Sequence, residues 1–148
     1  ASQFWAVLIG IDAYYEGTIL RGCVSDALLM RKFLVNDLGV PKEHIQCLLG
    51  SHSPVPEDAL TPSHANIVNV LFSLIHNRKI QFGDNIIIYY AGHGSSYRCS
   101  KHSASTVELE CSRDVCPVEA LCPINHDTKD ADGRWVPDIS DHELNTLL

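Results

Sequence analysis

The sequence predicts an α/β fold, a three-layer α/β/α sandwich with a mainly parallel sheet. Residues 4–11 and 86–90 are continuous runs of apolar and aromatic residues, a pattern typical of strands buried on both faces of a parallel sheet. The segments between these runs carry apolar residues at helical spacing. Strands that alternate with helices favour a parallel sheet with right-handed crossovers.

The first part of the chain predicts a strand, a helix and a second strand. Gly10 and Asp12 mark the carboxyl end of the first strand. A helix is expected to start at Ser25, a candidate N-cap, and to stop at Gly39. Residues 44–49 then predict a short strand.

The next part leads to a histidine. Thr61-Pro62 is expected to open the second helix, since a capping side chain followed by proline suits a first turn. The strand 85–90 follows and ends at a Gly-His-Gly triplet. A histidine in such a turn is often only a surface residue, but ligands bind at the carboxyl edge of parallel sheets. His93 is therefore a candidate functional residue.

The distal part predicts little regular structure. Residues 95–117 are rich in Ser, Cys and charge and have no period, so a long irregular loop is expected there. A short strand is predicted at 118–121 and a small hairpin around 130–137. Ser140 and Glu143 have the spacing of a capping box, and the sequence stops about two helical turns later. We therefore expect residues 1–148 to be a single domain that is C-terminally truncated.

Composition narrows the class of partner. The 148 residues are 45% hydrophobic and 20% charged, which is ordinary for a soluble globular domain. The net charge is -7 and the eleven Lys and Arg residues are scattered, so neither a nucleic acid nor an anionic membrane surface is an expected partner. Without a membrane-spanning run or a secretory signal, the expected compartment is the cytoplasm.

Six cysteines raise the question of a metal site. Cys23 and Cys47 lie in predicted packed elements, where they are expected to be buried thiols. The other four share an irregular segment with two histidines, His102 and His126. A zinc site is conceivable there, but the spacing lacks a C-x2-C pair, so we assign no metal ligand.

Five segments of the sequence have a characteristic order: WAVLIGI at 5–11, LRGCVSDA at 20–27, YYAGHG at 89–94, CP at 122–123 and PDISDHEL at 137–144. In this order they resemble the caspase-like fold of metacaspases and related caspase-domain proteins. The resemblance covers nearly the whole chain.

The resemblance implies a cysteine endopeptidase that acts through a Cys-His dyad. His93 would be the general base and acid, and the backbone N–H of Gly94 would help to hold the oxyanion. In the family the nucleophile lies in a D-x-C-H-S-G type motif, which this sequence lacks, so we expect it beyond Leu148. Cys116 has an Asp two residues before it but is followed by Pro117, and we interpret it as a decoy.

The resemblance also implies substrate-binding residues. Asp26 matches an Asp that lines the pocket for the residue before the cleaved bond, where a carboxylate selects Arg or Lys. Arg21 lies near the position of an arginine that selects Asp in caspases, so basic specificity is favoured and acidic specificity stays open. The residues alone allow a simpler role, because an Asp in a first turn complements the positive helix end.

Calcium dependence is left open by the resemblance. Many metacaspases carry an acidic pair near the last predicted helix, whereas here the second position is His142, and Asn125 stands where an Asp often occurs. Asp138 and Asp141 remain candidate oxygen ligands, although carboxylates beside a helix start are more often caps.

Two other functions compete with the peptidase. One is a non-catalytic caspase-like interaction module, which would not need the cysteine. The other is a metal-binding or nucleotide-binding α/β domain. The turn after the first strand lacks the glycine spacing of phosphate-binding loops, so nucleotide binding has no support there. We expect a protein or peptide substrate.

Overall fold

The computed structural model describes residues 3–98 and 117–147. Within these two ranges, six strands, three α-helices and a short 3-10 helix follow one another: β1 Phe4–Ile11, α1 Cys23–Asn36, the 3-10 helix Lys42–His44, β2 Ile45–Gly50, α2 His64–His76, β3 Asn85–Ala91, β4 Gly94–Arg98, β5 Pro117–Leu121, β6 Ile139–Ser140 and α3 Asp141–Leu147.

The first three strands form a parallel sheet in the order β2-β1-β3. The central strand β1 pairs on both sides, so that Ile9 lies opposite Leu48 of β2 and Tyr90 of β3. Both neighbours run parallel to β1 because a helix separates each pair of strands in the sequence. The predicted α/β fold with a mainly parallel sheet is confirmed.

The side chains of β1 alternate between two hydrophobic clusters. Val7 and Ile9 contribute to the cluster that contains the apolar stripe of α2, whereas Ala6 and Leu8 contribute to the cluster that contains the buried side of α1. Every residue from Trp5 to Ile11 is buried. The sheet therefore lies between α1 and α2, as the three-layer prediction requires.

Strand β3 differs from its prediction in burial. Its run of apolar residues was expected to be buried on both faces, but Ile86 is 46% exposed and the rest of the strand is at most half-buried. The reason is its position, because within the described residues β3 is an edge strand of the parallel sheet.

A second, antiparallel sheet of strands β4, β5 and β6 follows β3. Tyr97 of β4 lies opposite Val118 of β5, and Leu121 lies opposite Ile139 of β6. The predicted strand at 118–121 is thus confirmed, whereas the predicted irregular loop 95–117 is wrong at its start, where β4 pairs with β5. Residues 99–116 lie outside the described residues, and the loop there stays a prediction.

Two helix starts differ from their predictions. Helix α1 begins at Cys23, and Gly22 with φ 100° takes the N-cap position instead of Ser25. A left-handed backbone at this position suits glycine. Helix α2 is capped by the Ser63 side chain, which accepts from the Asn66 N–H at 3.3 Å, and not by Thr61.

The last two predicted features are present. Gly133 has φ 76° and its N–H donates to the Asp130 carbonyl oxygen, which closes the predicted hairpin turn. The Ser140 hydroxyl accepts from the Glu143 N–H at 3.1 Å and caps α3. Among the described helices, none is both long and apolar enough to cross a membrane.

Asp12 supplies the side-chain cap that Gly22 cannot provide. Its Oδ1 accepts from the Cys23 N–H at 2.8 Å, which satisfies a free N–H of the first turn of α1. The carboxyl end of β1 therefore holds the start of α1 directly.

We predict that Asp12→Ala lowers the free energy of unfolding by about 1 kcal/mol, the usual effect of losing an N-cap. Asp12→Asn keeps an oxygen acceptor in the same place and should lose less. Urea unfolding of both variants measures the difference. Equal losses in the two variants would contradict a hydrogen-bonding role for Asp12.

Candidate active site

His93 lies in the turn between β3 and β4 and is fixed through both of its backbone polar groups. Its N–H donates to the Tyr14 hydroxyl oxygen at 2.7 Å, and its carbonyl oxygen accepts from the Tyr90 hydroxyl at 2.6 Å. The two hydroxyls are 3.3 Å apart. The Cys122 N–H also donates to the His93 carbonyl oxygen, at 3.0 Å. The backbone of His93 is thereby tied to the segments that follow β1 and β5.

Gly92 is required by this network. A Cβ at position 92 would lie 2.6 Å from each of the hydroxyl oxygens of Tyr14 and Tyr90, far inside van der Waals contact. By contrast, a Cβ at Gly94 would meet nothing closer than the Ala120 carbonyl oxygen at 3.6 Å. The first glycine of the triplet therefore makes room for the two tyrosine hydroxyls.

The imidazole of His93 is oriented by a third backbone group. Its Nε2 lies 2.7 Å from the Thr18 carbonyl oxygen, and because a carbonyl can only accept, Nε2 is the protonated nitrogen. In the tautomer that this contact favours, Nδ1 is the nitrogen that can accept a proton. The Tyr14 ring packs against the imidazole at 4.8 Å between centroids.

The two tyrosines stay neutral in this setting. Burial is the largest cause that raises the pKa of both Tyr14 and Tyr90 above the ordinary tyrosine value. Because the folded protein binds these protons more tightly than the unfolded chain, their contribution to stability is intact below about pH 10 and falls as pH rises above it. The network is therefore unchanged across neutral pH.

An open pocket of about 470 Å³ lies beside His93. Gly94 and Ser95 at the start of β4 line it, together with Thr18 and Cys122. A second open pocket of about 590 Å³ is lined by Tyr90, Gly92 and residues of β4, β5 and α3. Gly94 borders both pockets.

Cys122 is a thiol close to His93, but its setting disfavours nucleophilic chemistry. It is 2% exposed, and burial, with a smaller effect of the Asp138 charge, raises its pKa to about 11. Since the thiolate is the reactive form, Cys122 is almost entirely protonated and unreactive at neutral pH.

Cys122, His126 and Asp138 come together in the lining of the pocket of about 470 Å³. One potential ligand atom from each lies within 4.8 Å of the other two. Asp138 is further held by Ser95, whose hydroxyl donates to Oδ2 at 2.6 Å. Among the described residues this is the one group of three or more such side chains at that distance.

The candidate calcium ligands do not fit a calcium site in the described residues. Asn125 Oδ1 accepts from the His64 N–H, and Asp141 Oδ1 accepts from the His142 N–H. Asp138 groups with a thiol and an imidazole instead of with other oxygens. Calcium prefers a shell of six to eight oxygens, and among the described residues Asp141 does not join the Cys122, His126 and Asp138 group.

The structure places the predicted site residues in different surroundings. Asp26 is exposed in the first turn of α1, and Arg21 is exposed just before that helix. Neither lines the two pockets at His93 and Gly94, and their role in substrate binding stays a prediction. Cys116 lies outside the described residues.

Comparison with known proteins decides the family. Residues 5–147 match the family model described as "Metacaspase, peptidase C14 domain". The chain belongs to the metacaspase family. The recognition made from the five sequence segments is thereby confirmed.

Individual metacaspases are similar along most of the chain. Metacaspase-3 of Arabidopsis thaliana is 30% identical over 143 residues, which are 97% of this chain and 34% of that protein. Metacaspase-1A of Aspergillus oryzae is 33% identical over 143 residues, again 97% of this chain and 29% of that protein. Metacaspase-4 of Arabidopsis thaliana is 38% identical over 92 residues, or 61% of this chain and 20% of that protein. This metacaspase chain thus spans about a third of the length of the relatives that match nearly all of it.

Sequence reasoning missed the residues that hold His93. The sequence patterns give no role to Tyr14, Tyr90 or Ser95, and they include Cys122 only among the distal cysteines and in a segment of the family resemblance. The hydrogen-bond partners of Tyr14 lie 76 or more residues away in the sequence, and Cys122, one partner of Tyr90, lies 32 residues away. No local sequence pattern marks residues whose partners are so distant. The one signal was the presence of hydroxyl-bearing aromatics at the carboxyl ends of two adjacent strands.

We predict that Tyr14→Phe lowers the free energy of unfolding by about 1–3 kcal/mol, because the His93 N–H loses its acceptor in a half-buried place. Tyr15→Phe is the matched control, since Tyr15 is 61% exposed and should change stability by less than about 0.5 kcal/mol. Chemical denaturation measures both. A Tyr14→Phe protein as stable as the control would rule out the hydroxyl as a structural anchor for His93.

Proposed function

We propose that this metacaspase chain is the histidine-bearing part of a cysteine endopeptidase that uses a Cys-His dyad. The observation that supports it most directly is the setting of His93. Its backbone is fixed by two tyrosines and its Nε2 by the Thr18 carbonyl oxygen, so His93 is held at an open pocket with Nδ1 as its proton-accepting nitrogen. A general base needs this kind of fixed, accessible nitrogen.

The nucleophile is proposed to lie outside residues 1–148. Burial raises the pKa of each described thiol, in Cys23, Cys47 and Cys122, whereas a nucleophilic cysteine needs a lowered one. The sequence contains no D-x-C-H-S-G type motif. Since the chain spans 34% of Metacaspase-3, a nucleophile beyond Leu148 agrees with the length of its relatives.

The outer edge of β3 is the proposed place for the strand that brings this cysteine. Within the described residues no strand pairs with that edge. The pocket of about 590 Å³ lies at its carboxyl end. A strand paired there in parallel would end beside His93, at the edge where α/β sheets hold their reactive groups.

The proposed reaction follows from these positions. His93 Nδ1 takes the proton of the thiol, and the sulfur attacks the carbonyl carbon of the peptide. The backbone N–H of Gly94 stabilises the negative oxygen of the tetrahedral intermediate. His93 then gives its proton to the departing amine, and water, activated by the same nitrogen, releases the acyl group from the sulfur.

A basic residue before the cleaved bond is the proposed specificity, with Asp26 as its partner. Asp26 is an exposed carboxylate on the first turn of α1, the helix that Asp12 ties to the carboxyl end of β1. Arg21 lies at the same end, so the opposite specificity is the competing outcome.

We predict that His93→Ala in the full-length protein abolishes peptide hydrolysis and leaves the fold intact. The imidazole lies at a pocket, and the backbone bonds of position 93 do not need the side chain. Cleavage of Arg- and Lys-terminated reporter peptides measures the effect, and circular dichroism checks the fold. His52→Ala, at an exposed loop histidine, is the matched control. Turnover at the control rate by folded His93→Ala would refute the dyad.

We predict that Asp26→Asn lowers kcat/KM for Arg-terminated reporters by roughly 10- to 100-fold, the effect of losing a charge-assisted hydrogen bond of about 1.5–3 kcal/mol. Asp37→Asn, at the other end of α1 and also exposed, should change nothing. A preference for Asp-terminated reporters that Arg21→Gln abolishes would favour the acidic alternative.

A further inference from the structure

We propose that Cys122, His126 and Asp138 form a zinc-binding site. The three residues come from segments that are separate in sequence but adjacent in space. Cys122 directly follows β5, His126 lies in the turn after it, and Asp138 directly precedes β6. The four distal cysteines suggested zinc as a possible ligand but did not identify the binding residues. In the structure one of them, Cys122, lies beside a histidine and a carboxylate.

The distances suit one small cation. The three candidate ligand atoms lie within 4.8 Å of one another. In a tetrahedral zinc site with bonds of about 2.0–2.3 Å, ligand atoms lie roughly 3.3–3.8 Å apart. The site therefore needs side-chain movements of only about 1 Å or less to close on the ion.

The backbone around the site is fixed before any metal binds. The Cys122 N–H donates to the His93 carbonyl oxygen, and the His126 N–H donates to the Pro123 carbonyl oxygen, both at 3.0 Å. These bonds hold the thiol and the imidazole at their spacing of four residues. A preformed site avoids most of the ordering entropy of binding.

The two carboxylate oxygens of Asp138 have different neighbours, and this arrangement suits a metal ligand. Its Oδ2 accepts from the Ser95 hydroxyl at 2.6 Å. This bond fixes the carboxylate, just as residues that bind a metal are commonly held by hydrogen bonds from their neighbours. Its other oxygen, Oδ1, faces His126 Nδ1 at 3.8 Å, which is longer than a hydrogen bond. An ion between these two atoms would bridge the gap.

The chemistry of the three groups selects zinc over calcium or magnesium. A thiolate and an imidazole are ligands for zinc, whereas calcium and magnesium prefer oxygen. The thiolate and the carboxylate together neutralise a divalent charge. This matters because Cys122 is buried, and His126 and Asp138 have side chains only 16% and 20% exposed.

A metal here would act as a cross-link. Residues 123–137 include the hairpin turn at Gly133 and the bridge between Lys129 and Trp135. Cys122 and Asp138 lie at the two ends of this segment, so one ion would tie its ends together beside the β5–β6 pair. The proposal does not depend on the peptidase activity, and its test uses binding and stability.

The test measures zinc binding by the metal-free full-length protein. We expect one zinc ion that raises the melting temperature, and cobalt in its place should give a thiolate-to-cobalt charge-transfer band. Ser95→Ala removes the hydrogen bond that fixes Asp138 and should weaken binding about 10- to 100-fold. Cys122→Ser, His126→Gln and Asp138→Asn each remove a proposed ligand and should weaken binding more. Cys47→Ser and His52→Gln, at residues outside the site, should bind like the parent.

A further variant separates this site from the cysteines in residues 99–116. Replacing Cys99, Cys111 and Cys116 together by Ser should leave the zinc stoichiometry and the cobalt band unchanged. The proposal is overturned if that triple variant loses the metal, if the parent binds none, or if Asp138→Asn binds as tightly as the parent. Should Cys122→Ser fail to fold, the cobalt band and the Asp138→Asn result still decide.

Discussion

The hydrogen bonds of Tyr14 and Tyr90 to the backbone of His93 are the constraint on which the candidate active site depends. A turn that leaves a strand must satisfy its own N–H and C=O groups when it is half-buried. Here the N–H of His93 is satisfied from the segment after β1, and its carbonyl oxygen from β3 and from Cys122. Three separate parts of the chain therefore meet at one residue, and the glycine before it gives the hydroxyls the space they need.

The same edge of the sheet also fixes the first helix. Asp12 follows β1, and its carboxylate holds the first turn of α1, while Tyr14, two residues later, reaches His93. One short segment thus positions both a candidate specificity element, the helix start with Asp26, and the candidate base. Strand β1 is buried because it is the central strand of the parallel sheet and is covered by α1 and α2, and any shift of β1 would move both groups together.

The sequence was a good guide wherever a local pattern determined the structure. The apolar runs of β1 and β3, the stripe of α2 and the Ser140 cap all depend on neighbours within one element, and each is present. Predictions were wrong where residues distant in the sequence determined the local structure. Residues 95–98 have no strand pattern but pair with β5, and the cap of α1 comes from Asp12, eleven residues earlier. The tyrosine network joins residues 76 apart, which no window of sequence could reveal.

The surroundings of Cys122 suppress its reactivity as a nucleophile and still allow it to act as a metal ligand. A thiol that lay beside His93 with an ordinary pKa would compete for the base and would be open to oxidation. Cys122 avoids both because burial and the nearby Asp138 raise its pKa to about 11. The carboxylate that adds to the effect of burial on the thiol pKa is also the group that would share a metal ion with it, since a cation reverses the local electrostatics. The same three side chains can therefore be inert as nucleophiles beside the candidate base His93 and still suit the proposed zinc site.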